Sequence, residues 1–184
     1  DLFEYQKKVE TLKEKVKSIV APTEGMTDFE KALYLHDYII LNGQYDKDLA
    51  MLNSQGKLTG SVYTDRYTEY GMLTEGKGIC GSYAMAYESL MNAAGVECIY
   101  LSSSRMNHAW NMVKIDGEWY HVDVCWDDPV PDRDGVARRE YFLLNDSQIR
   151  KLDHMGWTPA KYVSDSKTFA DMPRKNDTLQ KYYE

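Results

Sequence analysis

Little in this chain points to a membrane, a nucleic acid or a metal. No apolar run approaches the ~20 residues needed to span a bilayer. Lys and Arg number 22 against 29 Asp and Glu, a formal charge of -7. Without a basic cluster, that balance argues against nucleic acid or an anionic membrane surface as the main partner. The most basic stretch, residues 7–17, interleaves its lysines with Glu10 and Glu14 and reads as a solvated helix face. Three cysteines cannot all pair, so at least one is free, and no Cys-x-x-Cys spacing marks a metal or redox motif. No loop carries the alternating acidic residues of a calcium site. Repeats, low-complexity tracts and interdomain linkers are lacking too, so 184 residues make one domain, long enough to bury a core without staples. The chain opens at Asp1 without a methionine or a leader, which fits a processed product or a piece of a longer protein.

What is present is a run of helical patterns followed by strand patterns. Leu2, Tyr5, Val9, Leu12, Val16 and Ile19 recur at helical spacing, which predicts an amphipathic helix over the first twenty residues. Thr27 and Glu30 form a capping box for a second helix, residues 28–41, with Phe29, Leu33, His36 and Ile40 on one stripe. Residues 46–64 lack a clear period and read as a long loop. A short helix is expected at 65–73, then a glycine-rich turn (Gly76, Gly78, Gly81) entering a helix over 82–94 that ends on Gly95. Strands are expected at 96–102, 108–115, 118–125 and 140–144, and a helical turn at 145–152. Helices first and an antiparallel sheet later make an α+β domain.

Two features carry chemistry. Cys80 stands where the glycine turn meets the helix, and the free N–H groups and positive dipole end there favour a thiolate, the reactive form of cysteine. Those glycines would also let another backbone, such as a peptide, come close. Downstream, Asp116-Gly117 sits between two alternating runs, a strong hairpin signal that fixes register. Ile115 then faces Glu118, Met112 faces His121, Trp110 faces Asp123 and His108 faces Cys125. Ala109, Val113, Ile115, Tyr120, Val122 and Val124 fall on one face; His108, Trp110, Met112, His121, Asp123 and Cys125 fall on the other. His108 and Asp123 become diagonal neighbours, their Cβ atoms roughly 7 Å apart, within reach of an imidazole–carboxylate hydrogen bond. A thiol, a base and an orienting acid are the parts of thiol acyl transfer.

The segments GKGICGSYAMAY and NHAWNMVKIDGEWYHVDVCWDDP, with the spacing between them, resemble the transglutaminase-like core, the branch of the papain-like cysteine enzymes found in many bacterial proteins. LHDYIILNGQYD resembles that family's upstream helix, and YFLLNDSQI the strand and turn that follow its core. The resemblance implies a papain-like fold in which N-terminal helices and a Cys-bearing helix pack on an antiparallel sheet. It implies a single domain over 1–184: an N-terminal helix within 1–26, the core over 27–157 and a C-terminal extension over 158–184. Carried over by motif position, Cys80 is the nucleophile, His108 the base and Asp123 the orienter. The family has a threonine where this chain has Cys125. Export or residence in the cell envelope is implied by the same resemblance.

Other residues admit a bland reading beside the sharp one. The Cys80 backbone N–H and the Tyr70 hydroxyl are the candidate oxyanion donors, Tyr70 reading equally as core packing. Trp110 is a shield for the His-Asp pair or a core aromatic, and Cys125 a wall of the cleft. His121, Asp123 and Cys125 alternate as zinc ligands would. In this register, however, His121 lies roughly 13 Å along the strand from the position opposite His108, at ~3.3 Å per residue, too far for a shared ion. No metal and no cofactor is therefore expected. His36 and His154 read as packing or surface residues, and Cys98 as a buried strand residue. The expected function is cysteine-dependent acyl transfer on amides, as a peptidase or amidase acting on a peptide or protein substrate such as cell-wall peptide. The alternatives are a protein-glutamine transglutaminase, or a non-catalytic module on this fold that binds peptide or glycan.

Overall fold

The computed structural model describes residues 1–57 and 64–174. Helix α1 spans Leu2–Val20, capped by the Asp1 carboxylate, which accepts from the Phe3 and Glu4 N–H groups. Its expected apolar stripe is only half used. Leu12, Val16 and Ile19 pack on the core, while Leu2, Tyr5 and Val9 stay exposed. Helix α2 (Asp28–Asn42) starts on Thr27, whose hydroxyl accepts from Glu30 N–H, and buries Leu33, His36 and Ile40 as its stripe predicts.

The expected long loop after α2 is ordered through residue 57. A two-residue strand, β1 (Gln44–Tyr45), leads into helix α3 (Lys47–Ser54), capped by Asp46 through Leu49 N–H; the remainder of that loop, 58–63, lies outside the described residues. The short helix is α4 (Glu69–Thr74) and begins later than expected, because Thr68 supplies its cap. Strand β2 (Lys77–Gly78) then pairs in parallel with β1, Tyr45 opposite Gly78. That ladder binds the segment before Cys80 to the segment after α2.

Helix α5 (Cys80–Ala93) is the central element, and Cys80 is its first residue. The Ser82 hydroxyl accepts from Ile79 N–H at 3.0 Å and donates to the Arg66 carbonyl, fixing the helix start. Gly78 is needed for closeness within the fold: a Cβ there would lie 2.5 Å from Ser82 Cβ. Its smallness serves this internal contact, so the room expected there for a visiting backbone is already filled. At the other end Gly95 takes φ 86° and closes the helix in the left-handed conformation.

A four-stranded antiparallel sheet follows in the order β3 (Cys98–Ser103), β4 (His108–Ile115), β5 (Glu118–Val122) and β6 (Phe142–Leu144). The hairpin register is as expected near the turn, with Ile115 opposite Glu118 and Met112 opposite His121. One face, with Val113, Ile115, Tyr120 and Val122, packs on α2 and α5. The other carries Trp110, Met112 and Leu144 and is covered by Ile149 of helix α7 (Asp146–Lys151) and by Trp157. The sheet is thus buried on both sides, and the C-terminal extension forms part of the cover: Ser102 pairs with Thr158, and the Arg174 guanidinium donates to the carbonyls of Phe142 and Leu143.

One correction matters for the site. The strand expected to run through Cys125 stops at Val122, and Asp123 becomes the N-cap of a short helix, α6 (Val124–Asp127), accepting from Trp126 N–H through Oδ1. Asp123 and Cys125 therefore do not face Trp110 and His108 across the ladder. A carboxylate one residue past the last ladder pair caps a helix more readily than it extends a strand.

Candidate functional site

Cys80, His108 and Asp123 come from three elements: the first turn of α5, the first residue of β4 and the cap of α6. His108 Nε2 lies 2.7 Å from Asp123 Oδ2, and His108 shares the cavity wall with the Cys80 thiol, each shifting the other. Since Nε2 is engaged by the carboxylate, Nδ1 is the nitrogen left for sulfur.

Each group is shifted in the sense that favours an ion pair. Burial alone would push the Cys80 thiol up, but the hydrogen bond and charge of His108, helped by the backbone N–H groups of Ala109 and Gly81, hold it below its ordinary value. Burial would likewise strip His108 of its proton; the charge and hydrogen bond of Asp123, then of Cys80, raise it instead to about 9. Asp123 is fully buried, yet His108 and His154 keep its carboxyl below the usual range. A thiol lowered beside an imidazole raised is the direction of shift that favours a thiolate–imidazolium pair.

The other two cysteines differ. Burial pushes the thiols of Cys98 and Cys125 well above their ordinary value, with Glu88 adding to the first and Asp123 and Cys80 to the second. Cys125 still lines the cavity in front of Cys80, by way of α6 rather than the strand.

That cavity has a volume of about 450 Å³, and its wall includes Tyr45, Cys80, Met106, His108, Trp126 and Arg138. A larger depression of about 710 Å³ lies at the start of α2 against residues 167–173, but its wall holds no thiol or imidazole. The smaller one holds the thiol and the imidazole together.

Two sequence-based placements change. Tyr70 does not line the cavity; it sits on α4 with the Lys8 ammonium 5.4 Å from its ring centre. The phenol beside Cys80 is Tyr45, delivered by the β1–β2 ladder, and burial, then Cys125 and Cys80, push it up to about 12. Trp110 lies beneath the site rather than in the cleft, stacked on His108 at 5.7 Å and donating to His121 Nδ1 at 3.0 Å. The indole on the cavity wall is Trp126, 4.9 Å from His108, so the imidazole is held between two indoles.

His154 belongs to the site as well, against its reading as a packing or surface residue. It is fully buried, its Nε2 is 2.7 Å from the same Asp123 oxygen that engages His108, and its Nδ1 is 2.9 Å from the Leu152 carbonyl. A lone histidine 31 residues from its partner carries no sequence pattern that would announce this. His36 is buried too, bridging Asp37 Oδ1 and Asp127 Oδ2 at 2.8 Å each, and so ties α2 to α6.

The ligand atoms of His108, Asp123 and His154 lie within 4.8 Å of one another, the one such group of three or more among the described residues. Both imidazoles already meet a single carboxylate oxygen at hydrogen-bond length, an arrangement joined by protons. Zinc would need each ring nitrogen at ~2.0–2.1 Å from itself. The alternating set His121, Asp123, Cys125 is not assembled: His121 is held instead by Asp146 at 2.7 Å.

A family model described as the Transglutaminase-like superfamily matches residues 13–124, more than half of the chain. The chain belongs to that superfamily. Among curated proteins, it is 24% identical over 156 residues to the Kyphoscoliosis peptidase of Mus musculus, and 25% identical over 158 residues to that of Homo sapiens. Each match covers 77% of this chain and 21% of the relative, so the chain spans about a fifth of their length. A crystal structure of a TGase shares the fold with a TM-score of 0.54 at 16% identity, covering 63% of this chain and 32% of that one. The transglutaminase-like core is thus the frame on which α5, the hairpin and α6 bring the three groups together.

Proposed function

We propose that this transglutaminase-like domain is a cysteine-dependent acyl-transfer enzyme acting on amide bonds, with hydrolysis of peptides or peptide cross-links as its outcome. The observation that carries the reading is Cys80 at a helix N-terminus on the same cavity wall as His108, whose Nε2 meets Asp123 Oδ2 at 2.7 Å. The names of the curated relatives, both peptidases, favour hydrolysis over amine transfer.

In this reading the Cys80 thiolate attacks the carbonyl carbon and forms a C–S bond, and the carbonyl π electrons move to oxygen. The Cys80 backbone N–H and the Tyr45 hydroxyl are the donors proposed for that oxyanion, Tyr45 replacing Tyr70 because it lines the cavity. His108 Nδ1–H gives its proton to the amide nitrogen as the C–N bond breaks, and the amine leaves. Water then attacks the thioester while His108 takes its proton, the C–S bond breaks, and a carboxylic acid and the thiolate return. Asp123 keeps the imidazole oriented throughout.

The test is incubation with a mixed peptide library in the presence of a dansylated primary amine, with Cys80→Ala as control. Cleavage that requires Cys80 supports the reading. Cys80-dependent attachment of the amine without cleavage moves the chain to amine transfer. Absence of both, together with Cys80 labelling by iodoacetamide no faster than Cys98 and Cys125, overturns it in favour of a binding module.

A further inference from the structure

The wall of the Cys80 cavity contains one charged group that the reaction does not use. Arg138 is half-buried, follows the loop after α6, and is fixed by its backbone N–H to the Asp127 carbonyl at 3.1 Å. Among the described residues its guanidinium has neither an ion pair nor a hydrogen bond. Arg139, next in the chain, points the other way and pairs with buried Asp37. Two consecutive arginines thus divide the work: one closes the core network and the other faces the cavity.

The acid that could neutralise Arg138 is Asp128, on the same wall. It is turned to another partner: its Oδ2 accepts from the Tyr83 hydroxyl at 2.5 Å, and its buried Oδ1 has no partner. Burial, with Asp132 nearby, pushes its carboxyl up to about 7, against the pull of Tyr83, His36 and Arg138 itself. Its carboxylate therefore interacts with Arg138 through charge alone, and the guanidinium donors stay open to whatever enters the cavity. In a chain with a net charge of -7, a guanidinium without a hydrogen-bonded acid on the cavity wall that also holds Cys80 runs against the general surface composition.

We propose that Arg138 forms a carboxylate-binding subsite of the Cys80 cavity, selecting ligands that present a carboxylate close to the amide under attack. A guanidinium offers paired N–H donors in a plane that matches a carboxylate, and the contact strengthens where water is partly excluded. The carboxylate is either an acidic side chain or a peptide C-terminus. The inference rests on the Cys80 reading above, but its test needs no turnover.

The experiment compares alkylation of Cys80 by iodoacetate, which carries a carboxylate, and by iodoacetamide, its neutral isostere. The iodoacetamide rate relative to Cys98 and Cys125 tests the thiolate itself; the ratio of the two reagents tests Arg138. In Arg138→Gln that ratio falls about fivefold, as loss of a partly exposed charge-assisted contact would give, and Arg138→Lys restores a large part of it. A ratio in Arg138→Gln within a factor of two of the parent overturns the proposal, whatever the iodoacetamide rate. Should Arg138→Gln fail to fold, the unaltered protein is tested by protection of Cys80 from iodoacetamide. The competitors are N-acetylglutamate α-amide, N-acetylglutamine and N-acetylglutamine amide, which place the carboxylate on the side chain, on the terminus or nowhere. Stronger protection by the first assigns a side-chain carboxylate, stronger protection by the second a chain terminus, and equal protection by all three overturns it.

Discussion

His154 Nε2 lies 2.7 Å from Asp123 Oδ2, the same oxygen that receives His108 Nε2 at 2.7 Å. The second ring nitrogen of His154 lies 2.9 Å from the Leu152 carbonyl. Asp123 is thus pulled by two imidazoles at once, with Trp126 N–H on its other oxygen. It is a shared anchor whose charge is divided between His108 and His154.

Removing one claimant should leave more of that charge to the other. In His154→Gln, which lacks the imidazole's ability to hold a proton, the His108 midpoint read by NMR of its ring protons should rise above the parent value of about 9 by roughly half a unit or more. A purely structural His154 would lower the melting temperature and leave that midpoint in place.

The thiolate–imidazolium pair gives a two-sided pH profile. Cys80 is held below its ordinary thiol value and His108 is raised to about 9. Labelling of Cys80 by iodoacetamide should be well developed at pH 7, where Cys98 and Cys125, both pushed up by burial, stay inert. Amide turnover should fall as pH rises through about 9, because His108 then has no proton for the leaving amine. Mass spectrometry of labelled peptides checks the first limb. A Cys80 that labels only above the ordinary thiol range of ~8.5 would contradict the pair.

Much of this geometry could be read in the residues beforehand, and the failures have physical causes. The Cys80 helix and the hairpin register near Asp116-Gly117 are local, set by turn chemistry and periodicity, and they stand as expected. The expectation that Asp123 continues the strand failed because an Asp can serve as well to cap a helix, and only tertiary packing decides which. Yet the carboxylate still reaches His108, since the change from strand to cap keeps it beside the first residue of β4. Tyr45 was invisible because a two-residue parallel ladder leaves no periodic trace. His154 and Arg138 act over long sequence separations, through burial and through the lack of a partner, and neither quantity can be read in a linear pattern.

The buried His36 should be a pH-linked support of the site. Burial opposes its charge, but the carboxylates of Asp127 and Asp37 hold it at about 9. That folded value lies above the unfolded one of about 6.5, so its contribution to stability is complete below about 6.5 and is lost as pH rises through about 9. Asp127 is itself pushed up to about 6 by burial, against the pull of His36, so both are ionised at pH 7. His36→Gln should cost about 3 kcal/mol by leaving the buried Asp127 carboxylate without its cation, while Asp37 keeps Arg139. It should also flatten the decline in stability between pH 7 and 9.5 seen by urea unfolding of the parent. An equal decline in both proteins would assign the loss to other groups.

Tyr45 offers the sharpest separation of binding from chemistry. Its phenol shares the cavity wall with Cys80 and is pushed up to about 12 by burial, so it remains a hydrogen-bond donor across the working range. If that donor meets the oxyanion, Tyr45→Phe removes an interaction made chiefly in the transition state. The turnover number should then fall about 10²-fold with KM little changed. Alkylation of Cys80 by iodoacetamide, which develops no oxyanion, should stay within about twofold of the parent. The same variant in Tyr70, which packs under Lys8 outside the cavity, should turn over as the parent does. A comparable loss in Tyr70→Phe, or a Tyr45→Phe effect confined to KM, would remove Tyr45 from the oxyanion role and leave it as cavity lining.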